Sequence, residues 1–177
     1  MTGGTPDPEP TVRVRPAATP ADLGRAFAIR HAVFVSEQQV PVELERDERD
    51  AAARHVLAWF GDVPAGTGRL VAETPGYAGL SPDLGPVAHL GRIAVLVEYR
   101  RRGVGALLVV ALEDQARRLG LSMVYLGAQV PAVGFYHRLG YQAYGAVFDD
   151  AGIDHRHMRR ILGPTDGPRP APLADER

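Results

Sequence analysis

The chain has 177 residues, 45% hydrophobic and 23% charged, the balance of a globular protein with a sizeable core. A formal net charge of −1 gives no electrostatic footing for nucleic acid or an anionic membrane. There is no cysteine, and all 20 basic residues are Arg, which rules out disulfides, cysteine-bound zinc, a thiol nucleophile and a Schiff-base lysine, and fits a reducing cytoplasm.

Residues 1–10 are Pro- and Gly-rich and read as a disordered tail. They lack the basic-then-apolar order of a signal peptide, so a cytoplasmic protein is expected. Residues 11–15 alternate as a first strand. Residues 21–36 set Leu23, Phe27 and Val33 at helical spacing, with Thr19 before Pro20 as a cap. The acidic stretch 41–50 predicts a loop or short helix. Residues 54–60 and 66–73 predict a hairpin around Gly61-Asp62-Val63-Pro64, followed by a Gly/Pro-rich loop at 74–86. A buried strand is expected at 88–95. Residues 104–119 are the strongest helix, with Glu113/Arg117 and Asp114/Arg118 as i,i+4 pairs on its outer side and Gly120 as its stop. A strand at 122–126, a short helix at 131–139 opened by Pro131, and strands at 141–148 and 155–162 complete the order. Residues 163–177 read as a second disordered tail, which leaves 11–162 as one domain. The order predicts an α/β fold with a mixed, mostly antiparallel sheet flanked by helices. The longest apolar run, 106–112, is too short to span a bilayer.

The functional signal lies where strand 88–95 passes into helix 104–119, through Arg100, Arg101, Arg102, Gly103, Val104, Gly105 and Ala106. A helix N-terminus presents unpaired N–H groups and partial positive charge to an anion. Glycines let a phosphate chain approach the backbone, and arginines add charge-assisted bonds. A pyrophosphate-bearing cofactor is the expectation. The turn lacks G-x-x-x-x-G-K-[ST], and Leu108 stands where a dinucleotide fingerprint has its third glycine.

The spacing R-x-x-G-x-G at Arg100, Gly103 and Gly105 resembles the pyrophosphate loop of the GCN5-related N-acetyltransferases. The run from Gln129 to Tyr141 is similar to that family's N-x-x-A-x-x-F-Y-x-x-x-G-F, and the two motifs stand in the family's order. The resemblance implies acetyl-CoA as co-substrate, its diphosphate on residues Arg100 to Ala106. It implies a pantetheine arm paired with the backbone of Ile93, Ala94 and Val95, entering between two splayed parallel strands at 88–95 and 122–126. Gln129 takes the place of the family's Asn and keeps its amide. Phe135 becomes an apolar cofactor contact and Tyr136 the acid for the leaving thiolate. Three further segments, 30–38, Tyr125-Leu126-Gly127-Ala128-Gln129, and 150–158, are similar to the ElaA-like branch of the superfamily.

Acyl transfer from a thioester to an amine needs positioning of both partners, a base for the amine and an acid for the thiolate. The resemblance implies direct transfer, in a ternary complex, to a small-molecule or protein amine. The base stays open among Glu37, Glu43, Glu45, Asp47 and His55; Glu37 and Glu45 are the candidate acceptor contacts. His155 and His157, two apart, face one side of a strand, but no third ligand stands at sensible spacing and no metal is expected. A second copy of the chain is a candidate partner. Two alternatives remain: a non-catalytic CoA-binding sensor, and an acyl-homoserine-lactone synthase, which Arg30-x-x-Val33-Phe34 and Glu45-x-Asp47 resemble. Those synthases carry a Trp soon after the Val-Phe pair, and here the only Trp is Trp59.

Overall fold

The computed structural model describes residues 11–74 and 79–163. The tail expected at 1–10, residues 164–177 of the tail expected at 163–177, and residues 75–78 of the loop expected at 74–86 lie outside the described residues. Strands β1 (Val12–Pro16), β2 (Arg54–Phe60), β3 (Val63–Glu73), β4 (Val87–Val95), β5 (Met123–Gln129), β6 (Gln142–Asp150) and β7 (Ile153–Ile161) form one sheet. Its order is β1-β2-β3-β4-β5-β7-β6. All neighbours are antiparallel except β4 and β5. The helices are α1 (Pro20–Arg30), α2 (Val42–Glu45), α3 (Val104–Arg118) and α4 (Val133–Arg138).

Alternation along the strands sends side chains to two cores. On β2, Val56 and Ala58 face the core that holds Leu108 and Leu112 of α3, whereas Leu57 faces Ala26 and Ile29 of α1. Leu108 and Leu112 are fully buried, each contributing about 1.5–3 kcal/mol, and this packing seats the N-terminus of α3 against β3 and β4. α1 starts as its sequence dictates. Pro20 occupies the first turn, and the Thr19 hydroxyl accepts from the Asp22 amide at 3.1 Å. α3 ends at Gly120, whose φ of 73° only glycine adopts freely.

β4 carries a bulge. Ala94 pairs with Thr67 and Gly91 with Arg69, so Arg92 and Ile93 together oppose Gly68. Before the bulge Ala88 and Leu90 face the α3 core; after it Ile93 and Val95 do, and Ala94 turns to the α1 core. Arg92 takes a left-handed φ of 52°. Its guanidinium is pinned by the carbonyls of Glu45 (2.9 Å) and Leu44 (3.0 Å). Opposite the bulge, a Cβ at Gly68 would come within 2.9 Å of Leu112 Cδ1, so a larger residue there would force that side chain to shift.

Three sequence expectations need correction. The helix expected at 21–36 is α only to Arg30; His31–Glu37 is π-helical, with the Gln38 amide donating to Val33 O at 3.1 Å. Glu113 does meet Arg117, at 3.9 Å, but not on the outer side of α3. It is buried and takes bonds from Tyr141 (3.0 Å) and Arg160 (2.7 Å). Asp114 meets Arg117, one turn position closer than Arg118, at 3.0 Å.

Candidate active site

β4 and β5 pair only at Ala88↔Val124 and His89↔Tyr125. Beyond that point the strands part, and β4 from Leu90 to Val95 has no strand partner on its β5 side. The cleft between them runs toward the N-terminus of α3. There Gly103 adopts a left-handed φ of 76° and Arg101 one of 57°. Among the described residues, the amides from Arg101 to Ala106 donate to no backbone carbonyl, and no side chain caps them. Gly105 faces Phe135, whose Cζ would lie 3.4 Å from an added Cβ. A bent run of free amides beside two glycines fits a diphosphate.

The arginines of this turn behave differently from one another. Arg100 turns back on the protein: its Nε donates to Val95 O at 2.9 Å and its two Nη atoms donate to Glu37 at 2.8 and 2.6 Å. That bond holds the Glu37 carboxyl below its ordinary pKa. Arg102 lies over the Phe60 ring at 5.0 Å, and Arg101 is exposed.

On the face of the sheet opposite α3, a cavity of about 930 Å³ is lined by β3, β4, β5 and β7. The π-helical turn and the 42–49 segment form its roof, and the β6–β7 turn its rim. Tyr136 of α4 reaches this cavity; burial pushes its phenol pKa up, and no group among the described residues bonds its hydroxyl. A phenol held protonated next to a cleft can donate a proton. Gln129, at the end of β5, bonds Gln38 across the cleft at 2.8 Å.

The roof is held down by buried arginines. Arg30, fully buried, bonds Glu45 and both oxygens of Asp50 (2.7 and 3.0 Å). Arg69 bonds Asp47 at 2.6 Å and Asp50 at 2.8 Å. Burial opposes the charge on Asp50, but the two guanidinium groups outweigh it and hold its carboxyl well below the usual range. The acidic stretch is therefore a clamp. Glu37, Glu45 and Asp47 each meet an arginine, Glu43 is exposed, and His55 is buried on a separate cavity behind the clamp.

The carboxylate that the sequence reading missed is Glu73, at the end of β3. Its Oε2 accepts from Arg49, while its buried Oε1 has no partner in the cavity wall. Burial raises its pKa, with Arg49 opposing. Beside it, Arg49 Nη2 lies 3.2 Å from His89 Nδ1. A guanidinium can only donate, so Nδ1 accepts and the imidazole carries its proton on Nε2. Burial, followed by Arg49, drives the His89 pKa down to about 3, so His89 is a neutral donor and Glu73 the available base. Only the fold could bring Glu73 and His89 together with Arg49, which comes from a distant segment.

Residues 23–141 match the family model described as "Acetyltransferase (GNAT) family". The chain is 39% identical over 139 residues to an uncharacterized N-acetyltransferase of Bacillus subtilis, YjcF, covering 78% of this chain and 91% of the relative. The crystal structure of Escherichia coli ElaA superposes with a TM-score of 0.69 at 26% identity, covering 85% of this chain and 99% of ElaA. A Bacillus subtilis acetyltransferase solved in complex with CoA shares the fold at 20% identity, with a TM-score of 0.57 over 86% of this chain and 99% of its own. Among the described residues no helix is long and apolar enough to cross a membrane.

Proposed function

The chain belongs to the acetyltransferase (GNAT) family, and on that footing we propose which of its residues carry out the transfer. It is an N-acetyltransferase that moves an acetyl group from acetyl-CoA to an amine. The amides from Arg101 to Ala106 hold the diphosphate, with Arg101 and Arg102 adding charge at its edge. Arg100 is a positioning residue that ties the turn to Glu37 and to the end of β4. The backbone of Ile93 to Val95 receives the pantetheine arm in the parted cleft, and the Gln129 amide exchanges Gln38 for that arm. Phe135 packs against it.

The acceptor enters from the cavity as an ammonium and meets the unpartnered oxygen of Glu73. Glu73 takes the proton, directly or through one water, and the neutral amine attacks the thioester carbonyl. Tyr136 protonates the departing thiolate as the C–S bond breaks, and the nitrogen, now bonded to the acetyl carbon, gives its second proton to the Tyr136 oxygen. The observation that carries this reading is the opening of β4 from β5 just beyond His89 and Tyr125. Glu73 and Tyr136 line the cavity at that opening, and Gly105 lies beyond it against Phe135 and Val95, which supports one path from the turn to the acceptor.

The test is Tyr136→Phe, assayed by thiol release from acetyl-CoA and by acetyl-CoA-induced thermal stabilisation. Turnover should fall by about 10²-fold while the stabilisation by acetyl-CoA persists. Parental turnover in the variant contradicts the acid role; absence of any stabilisation by acetyl-CoA in the parent contradicts the whole reading.

A further inference from the structure

The roof of the cavity is tied to the sheet on both sides of the opening between β4 and β5. The π-helical turn ends in Glu37 and Gln38, and these neighbours reach different strands. Glu37 takes both Nη atoms of Arg100, whose Nε holds Val95 O at the end of β4. Gln38 Oε1 accepts from Gln129 Nε2 at 2.8 Å, at the end of β5. The two strands pair only at Ala88↔Val124 and His89↔Tyr125. Two consecutive residues thus join strand ends that the sheet itself leaves apart.

The two ties are unequal. Glu37 and Arg100 form a bidentate, charge-assisted pair, whereas Gln38 and Gln129 share one neutral hydrogen bond, the weaker kind. Gln38 also belongs to a segment knotted to itself. Its N–H donates to Val33 O at 3.1 Å, and the Val40 N–H donates to Phe34 O at 2.9 Å. Gln39 turns the chain between them at a left-handed φ of 59°. Phe34, Gln38 and Val40 all line the cavity, so what holds or frees Gln38 is felt by the roof.

Resting on the function proposed above, in which Gln129 bonds the pantetheine arm, we infer that Gln38 is a latch between the two substrate sites. Gln129 lets go of Gln38 as it turns to the arm. Acetyl-CoA therefore binds against one hydrogen bond, and its seating frees residues 34–40 over the acceptor cavity. Glu37 keeps its hold on Arg100, so the roof loosens without leaving the turn. Gln38 is a positioning residue that couples the two sites and takes no part in the chemistry. Removing its bond takes away a cost of closure that the parent carries, and acetyl-CoA binds more tightly.

The experiment titrates acetyl-CoA calorimetrically into the full chain and into Gln38→Met and Gln38→Ala. Methionine removes the bond and keeps the bulk; alanine removes both. A thermal melt establishes that each variant is folded. Each should bind acetyl-CoA about two- to tenfold more tightly than the parent, the worth of one neutral hydrogen bond. Backbone amides of residues 34–40 should shift on saturation with acetyl-CoA in the parent and stay nearly still in Gln38→Met. An unchanged or weaker Kd in either folded variant overturns the latch and leaves the acetyltransferase reading standing, as does an equal shift of those amides in parent and Gln38→Met. A parent that binds no acetyl-CoA overturns the latch and the function beneath it together.

Discussion

Replacing Glu73 by Gln keeps the length of the side chain and removes its charge. The side chain is 15% exposed, one oxygen is held by Arg49, and the other makes no hydrogen bond, with His89 Nδ1 3.8 Å away. That oxygen is free to take a hydrogen bond from the acceptor's ammonium. Its loss removes both an ion contact and the base, for which a fall of about 10²-fold or more in kcat/KM is expected, equivalent to about 2.7 kcal/mol of transition-state stabilisation. Folding should be little affected. Burial already disfavours the Glu73 charge, Gln can still accept from Arg49, and Arg49 itself is 36% exposed, so the unfolding free energy should change by less than about 1 kcal/mol. The parent's kcat/KM should carry an acid limb above the ordinary glutamate value of 4.5, and that limb should vanish in Glu73→Gln. The assay is thiol release across pH over a range of amine concentrations that extends well below KM, paired with thermal unfolding. Turnover within about threefold of the parent, or an acid limb that survives the substitution, refutes the argument.

Arg30→Met strands the buried carboxylate of Glu45 and takes from Asp50 one of its two guanidinium partners. Breaking such a pair costs about 3–5 kcal/mol, a fall in Tm on the order of 10 °C; a fall below about 2 °C in a melt contradicts the clamp. His89 has a folded pKa near 3 against an ordinary 6.5. The unfolded chain therefore binds the extra proton between those values, and stability falls as pH drops through that window, by at most about 5 kcal/mol. His55 and His157, also lowered, add in the same sense, and Glu73, raised, opposes. His89→Gln should flatten the Tm slope between about pH 6.5 and 4; an unchanged slope removes His89 from the account.

The strands and the α3 boundary were legible because they follow local rules. β2, β3 and β4 alternate or run apolar, and Gly103 and Gly120 bracket α3 at positions where the backbone turns left-handed. The passage from α to π geometry at His31 was not legible, because over seven residues apolar spacings of 3.6 and 4.4 are nearly alike. The β4 bulge was invisible for another reason. Arg92 is an ordinary residue forced into φ 52° by partners from residues 44–47, contacts that exist only once the chain has folded. The acidic stretch misled in the same way: in sequence it reads as solvated, and in the fold Glu45, Asp47 and Asp50 close on Arg30 and Arg69. Glu73 gave no signal at all, since a single glutamate at a strand end becomes special only through what is missing around its second oxygen.

The most direct measurement is an amide NMR titration of the full chain with acetyl-CoA. The amides from Arg101 to Ala106 should shift saturably, together with those of Ile93 to Val95, as their N–H groups acquire partners. Saturable binding that leaves all of these amides unmoved would contradict the seating of the diphosphate on the turn before α3.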